Sequence, residues 1–231
     1  APTNCGAGGA ESAGRNAPGG GVVRLLVYGT TTVHGVISAN GIYGSWPGGA
    51  GGSVYITTGT LQGNGIIRAN GGTAPTYGCG GGGRISVVLT SGANFDHVSM
   101  QAYGGSNPSY SGGAGTIYRQ TASQSSGNGI VTVDNDNRPL GTGAGTNEIP
   151  PTVNPVVNEL AGATLLLTNT TVSRVTADVR LGNLFVYTGS TLDLRWKTIT
   201  VNSSKHNLGG GTTNNPGVII WKKTGTVFLV L

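Results

Sequence analysis

The chain has 231 residues, of which 44 are glycine, 13 basic and 8 acidic, with a hydrophobic fraction of 36% and a formal net charge of +5. Unpatterned, that much glycine would make a flexible linker, but the Val, Ile, Leu, Thr and Tyr content is sufficient for an ordered core. The sequence has no collagen triplet, no amphipathic helical stretch, and no apolar run near the roughly 20 residues of a membrane-spanning helix. Basic residues are scattered singly apart from Lys222-Lys223, so no nucleic-acid-binding stripe is expected.

The chain opens Ala1-Pro2-Thr3-Asn4 without an initiator Met, the form left by removal of a secretory leader, although an excised fragment would read the same. Cys5 and Cys79 are an even pair in Gly-rich segments, and together with the low charge they predict export and one disulfide.

Four copies of one pattern follow. They are GGGVVRLLVYGTTTVHGVISANG from Gly19, AGGSVYITTGTLQGNGIIRANGG from Ala50, GGGRISVVLTSGANFDHVSMQAYGG from Gly81 and the more divergent GGAGTIYRQTASQSSGNGIVTVDN from Gly112. The last glycines before each first strand are Gly21, Gly52, Gly83 and Gly115, a near-constant period of roughly 31 residues. Each copy reads as Gly run, strand, turn, second strand, small residue and Gly. Val23, Leu25 and Val27 share one face, as do Val54 and Ile56, and Ile85, Val87 and Leu89; the second strands open at Val36 and Ile66. One such unit cannot bury its own apolar face, so the copies are expected to stack as coils, each adding about 4.8 Å. The Gly runs fit corners needing positive φ or close backbone approach. Ala39-Asn40-Gly41 and Ala69-Asn70-Gly71 recur in phase, and stacked Asn there would form a ladder. The predicted fold class is therefore all-β: a parallel β-helix or solenoid with coils of about 31 residues over 1–138.

From Pro139 to Pro155 the stretch PLGTGAGTNEIPPTVNP reads as a linker or long corner, 139–155. A second β-repeat region, 156–231, carries LAGATLLLTNTTV and LFVYTGSTLDLRWKTITV, whose Gly162 and Gly189 predict a shorter repeat of roughly 27 residues. It ends in the apolar run Val227, Phe228, Leu229, Val230 and Leu231, preceded by Val218-Ile219-Ile220-Trp221 and a Lys-Lys-Thr-Gly turn. This hairpin is expected either to plug the chain's own stack or to act as an assembly strand donated to a neighbouring copy.

The segments GGAGGSVYITTGTLQGNGIIRANGG, GGGGRISVVL and GGAGTIY resemble the very long, glycine-rich repeat proteins of bacterial cell surfaces, and GSTLDLRWKTITV resembles the autotransporter-type β-strand repeats found beside them. The resemblance covers 19–202. It implies an exported β-helical surface or filament protein, without assigning an activity.

Chemistry is sparse. Asp134 and Asp136 are the one close acidic pair, on one face of an extended strand, where paired carboxylates or a cation ligand set would be compatible. VDNDNRPLG reads more simply as a strand ending in an Asx-rich turn. His34, His97 and His206 fall in different segments without ligand spacing, and no Cys-x-x-Cys is present, so no metal or other cofactor is expected. The string GCGGGGR lacks the Gly-Lys-Ser/Thr and helix of a phosphate loop. Asn169 and Asn202 head sequons that could accept N-linked sugar. Tyr28, Tyr43, Trp46, Tyr55, Tyr77, Tyr103, Tyr110 and Tyr118 gather in the Gly-rich half, for packing or for stacking on sugars.

The expectation is a non-enzymatic, secreted structural protein, a subunit of an extracellular filament or surface fibre whose partners are copies of itself joined head to tail. An adhesive or carbohydrate-binding surface module, with surface glycans as partners, is the alternative, and a polysaccharide-acting β-helix enzyme the second.

Overall fold

Alternation of apolar and polar residues, with glycine concentrated in the connections, makes this sequence a series of strands. The computed structural model describes residues 3–9, 17–45, 47–139, 145–149, 161–203 and 208–222, and the backbone of 227–230. Among these residues the regular elements are all strands: β1 (Val22–Thr32), β2 (Val36–Ser38), β3 (Ser53–Gln62), β4 (Ile66–Arg68), β5 (Arg84–Leu89), β6 (Ser99–Gln101), β7 (Thr116–Gln120), β8 (Ile130–Asp134), β9 (Asn147–Ile149), β10 (Thr164–Thr168), β11 (Val172–Val175), β12 (Val179–Leu181), β13 (Asn183–Val186), β14 (Thr191–Asp193), β15 (Thr198–Val201), β16 (Thr212–Asn214), β17 (Gly217–Trp221) and β18 (Val227–Val230).

The first strands of all four repeats stack in register. Val22 lies opposite Ser53, Ser53 opposite Arg84 and Arg84 opposite Thr116, all in parallel pairs. Each of these residues directly follows one of the marker glycines Gly21, Gly52, Gly83 and Gly115, so the pairing keeps the period of the sequence. The short strands β2, β4 and β6 form their own parallel sheet, with Val36 opposite Ile66 and Ile66 opposite Ser99. Val54, Ile56, Ile85, Val87 and Leu89 are buried in one core against Ile67, and Val23 and Leu25 pack on it from the end layer.

Glycine fills the space between the end of each short strand and the next long one. These segments exchange backbone hydrogen bonds within and between layers: Gly49 N–H to Ile42 O, Gly72 N–H to Gly49 O, Gly80 N–H to Gly72 O and Gly105 N–H to Gly80 O, at 2.7–3.1 Å. Close approach, not positive φ, demands glycine here. A Cβ on Gly71 would fall 2.0 Å from the Gly80 carbonyl oxygen, and neither residue is in the left-handed region. The in-phase asparagines do form a ladder, with Asn40 Oδ1 accepting the Asn70 N–H and Asn70 Oδ1 accepting the Tyr103 N–H, both at 2.8 Å.

The fourth copy departs from the expected pattern. β8 does not extend the β2-β4-β6 sheet; it turns back antiparallel on β7, with Ile117 opposite Thr132 and Tyr118 opposite Val131. The connector holds this turn through Thr121 N–H to Gln124 Oε1, Asn128 N–H to Ser125 O and Gly127 at φ 80°. Opposed residues in a pair share a face. Ile117 belongs to the first core, whereas Tyr118 packs with Val131 and Val133 against the second. One seven-stranded sheet, β1-β3-β5-β7-β8-β10-β13, thus buries one face in its first part and the opposite face in its second.

The second part has three parallel runs: β8-β10-β13, β9-β11-β14-β16 and β12-β15-β17. Thr164 pairs with Asn183, Val179 with Ile199 and Thr191 with Thr212, so one layer here takes only about 20 residues. That shorter layer replaces the repeat expected from the interval between Gly162 and Gly189. Leu165, after Gly162, lies in the seven-stranded sheet, while Leu192, after Gly189, lies in the sheet of β14, so the two motifs occupy different sides of the stack. Inside the stretch read as a linker, Asn147–Ile149 is a strand, paired with β11. Leu165, Leu167, Leu181, Leu184, Leu192, Leu194 and Ile199 fill the second core.

Candidate functional site

The ends of the stack carry backbone groups that strand pairing among the described residues does not use. β1 is the first strand of the seven-stranded sheet and, at 11 residues, a long one. Its outward side chains include Leu26 at 60% exposure and Tyr28 at 91%, and Val36 of β2 is also exposed. Arg24 lies over the Tyr55 ring, 6.0 Å from its centroid, and Thr30 Oγ1 is 2.8 Å from Thr60 Oγ1, which ties this layer to the next.

The glycines of β1's layer differ from their counterparts one layer in. Cβ atoms on Gly52, Gly59 and Gly65 would lie 2.0, 2.7 and 2.4 Å from the carbonyl oxygens of Gly21, Gly29 and Gly35. At Gly21, Gly29 and Gly35 themselves a Cβ would meet nothing within 4 Å among the described residues, and none of the three is in the left-handed region.

At the other end the apolar carboxyl-terminal run folds back on its own chain. Val227, Phe228, Leu229 and Val230 pair antiparallel with β17, Ile220 to Gly217, and β18 is the last strand of the sheet β12-β15-β17-β18. Leu231 lies outside the described residues.

Cys5 and Cys79, expected to bridge, are both free thiols in this structure. Cys79 Sγ accepts the Ala74 N–H at 3.3 Å inside its own loop, and Cys5 is exposed. Asp134 serves the turn after β8: its Oδ1 accepts the Asp136 N–H at 2.8 Å and the Asn169 Nδ2 at 3.0 Å, and Asp136 and Asn137 have φ of 54° and 52°. Burial, and then the negative charges of Asp134 and Asp136, push the nearby Tyr103 hydroxyl above its ordinary pKa, opposed by Arg138, whose guanidinium lies 5.2 Å from the ring centroid. The Asn169 amide is thus already engaged, while Asn202 is exposed with Nδ2 3.3 Å from Ala161 O. Tyr28, Tyr43, Tyr77 and Tyr110 are exposed, Tyr55, Tyr103 and Tyr118 partly buried, and Trp46 and His206 lie outside the described residues.

In the second part Asp193 is a buried acid matched by cations, with Oδ2 3.3 Å from Arg195 Nε and 3.6 Å from Arg174 Nε and with Oδ1 accepting Asn215 Nδ2 at 2.6 Å. Among the described residues no three His, Cys, Asp or Glu side chains gather as a metal site. No helix among them is long and apolar enough to cross a membrane. Compared with protein-family models, curated proteins and solved structures, the chain matches none.

Proposed function

We propose that this chain is an exported, non-catalytic subunit of an extracellular filament or surface fibre, in which stacked repeats form a parallel β-solenoid and copies join through open strand edges. The observation that carries this reading is the first layer. A long edge strand with exposed Leu26 and Tyr28 is what natural proteins ordinarily cover or charge. Glycines at 21, 29 and 35 leave the space that a further backbone layer would occupy, as the first layer occupies it against Gly52, Gly59 and Gly65. The outer edge of β18 supplies a second set of backbone donors and acceptors for head-to-tail contact. Low charge and the resemblance to glycine-rich cell-surface repeat proteins support export and a surface role.

Negative-stain imaging and sedimentation of the purified chain test this reading. Regular fibres are expected from the parent, and from Leu26→Lys/Tyr28→Lys a folded species that no longer polymerises at an unchanged melting temperature. Both side chains are exposed, so the double change spares the core while placing charge on the edge. A parent that stays monomeric at high concentration, or a variant that forms the same fibres, overturns the edge reading.

A further inference from the structure

The corner between the long and short strands of the first part borders an open cleft lined by residues of three layers. In the first two layers the corner is only residues 33–35 and 63–65, whereas the third layer runs through residues 90–98 before its short strand begins. The longer loop borders an open space of about 700 Å³ over the shorter corners, within the ~300–1,000 Å³ range of small-molecule clefts.

Three layers each contribute a polar group whose position is fixed. His34 Nδ1 lies 3.0 Å from Asn64 Oδ1, which leaves His34 Nε2 and the Asn64 NH2 for a ligand. Asp96 accepts the Gly63 N–H through Oδ2 at 2.7 Å, and its own N–H is held at 3.1 Å by Asn94 Oδ1, in a left-handed turn with φ 51°. Its Oδ1, 3.8 Å from the exposed His97 ring, is the remaining acceptor. Thr32 and Gln62 add a hydroxyl and a carboxamide to the lining. The lining residues include no Lys or Arg, and Asp96 is their one acid, a set poorly suited to an anion or to a divalent cation that wants several oxygen ligands.

We propose that this cleft binds a neutral oligosaccharide. A sugar hydroxyl both donates and accepts, so a carboxylate oxygen set near a carboxamide NH2 can hold neighbouring hydroxyls, one as donor and one as acceptor. Stacked strands supply the rigidity that keeps such a pair in place before ligand arrives. The inference is separate from the assembly reading and holds whether or not fibres form.

Equilibrium dialysis of the full chain against labelled cellohexaose and, separately, maltohexaose tests it in any oligomeric state, with hydrogen exchange to locate the contact. Saturable uptake of at least one hexamer is expected, with protection confined to 32–35, 62–65 and 91–98, and at least tenfold weaker binding in Asn64→Ala. If that variant melts early, Gln62→Ala, a change at an exposed side chain of the same cleft, takes its place and is expected to weaken binding in the same direction. No uptake of either sugar overturns the proposal. So does tighter binding of hexagalacturonate than of both neutral sugars, protection elsewhere on the chain, or full affinity in the folded variant.

Discussion

Two stacks of parallel strands share one sheet in this protein and bury opposite faces of it, and they differ in what each layer contains. In the first part Val22 pairs with Ser53, a layer of about 31 residues; in the second Val179 pairs with Ile199, a layer of about 20 residues. The difference matches the length of the segment 41–51. A layer of the first part is thus a strand-bearing unit carrying an added glycine arm, and the arm is held by backbone hydrogen bonds to its own and neighbouring layers, with Ala74, Asn107 and Ser111 buried in it. The second part lacks such arms and relies on a denser leucine core. Glycine lowers order when it is solvated, yet here it permits backbone approaches that no other residue allows.

The most severe test of this contrast lies within the single run 80–83. A Cβ on Gly83 would fall 2.0 Å from Gly52 O, whereas on Gly81 the nearest atom is Gly113 O at 3.6 Å. Gly83→Ala is expected to cost about 3 kcal/mol or more, since a neighbouring backbone must move. Gly81→Ala is expected to be neutral or to stabilise by about 0.5 kcal/mol, through the reduced freedom of the unfolded chain. Urea denaturation of both variants decides it; equal losses would mean that the arms are held by something other than close backbone contact.

In the second part the corresponding weak point is a side chain. Leu192 is fully buried, and Leu192→Ala is expected to destabilise by about 3 kcal/mol. Leu25 faces the first core from the open end layer and is only half-buried, so Leu25→Ala should cost about 1 kcal/mol. Comparable losses at the two sites in the isolated chain would indicate that β1 is covered in solution, which sedimentation of the same sample would reveal as association.

Much of the first part was legible in the sequence because period and burial agree. The markers Gly21, Gly52, Gly83 and Gly115 have the same spacing as the observed pairing of β1, β3, β5 and β7. The return of β8 was not legible. The fourth copy keeps the strand-turn-strand pattern, and what redirects it is a set of local hydrogen bonds around Thr121, Gln124 and Gly127 that leave no periodic trace. The interval between Gly162 and Gly189 does not give the layer length because the two glycines precede similar motifs on different sides of a shorter layer. The corner cleft leaves no mark in the linear sequence for a related reason. His34 and His97 have no ligand spacing along the chain, but the pairing of β2 with β4 and of β4 with β6 sets them two layers apart around one cleft. In a stacked repeat, proximity must be sought one period away instead of within a short motif.

The smallest expected effect concerns the junction where the buried face changes. The core column formed by Leu25, Ile56 and Val87 reaches Arg119 in β7, and the neighbouring position pairs Ile117 with Thr132 of β8. Arg119 lies with its guanidinium 5.8 Å from the Phe95 ring centroid, and burial lowers its pKa from the ordinary value. Its Nε and the Thr132 Oγ1 are both buried without a hydrogen-bond partner among the described residues. Such groups lose solvation without recovering it inside the protein, so replacing them by apolar groups of similar shape removes a cost. Thr132→Val keeps the branched shape and is expected to stabilise by about 1 kcal/mol, and Arg119→Met, which preserves length, to gain a similar or smaller amount. The two positions flank Ile117 at the end of the first core, so the double variant measures whether they act together. A gain from each would indicate that the junction holds polar residues at some expense of stability, as a stop that keeps the first core from continuing into β8. A loss of about 1 kcal/mol or more from Thr132→Val would show that its hydroxyl has a partner in solution, and the junction would then be a bonded corner instead of a stop.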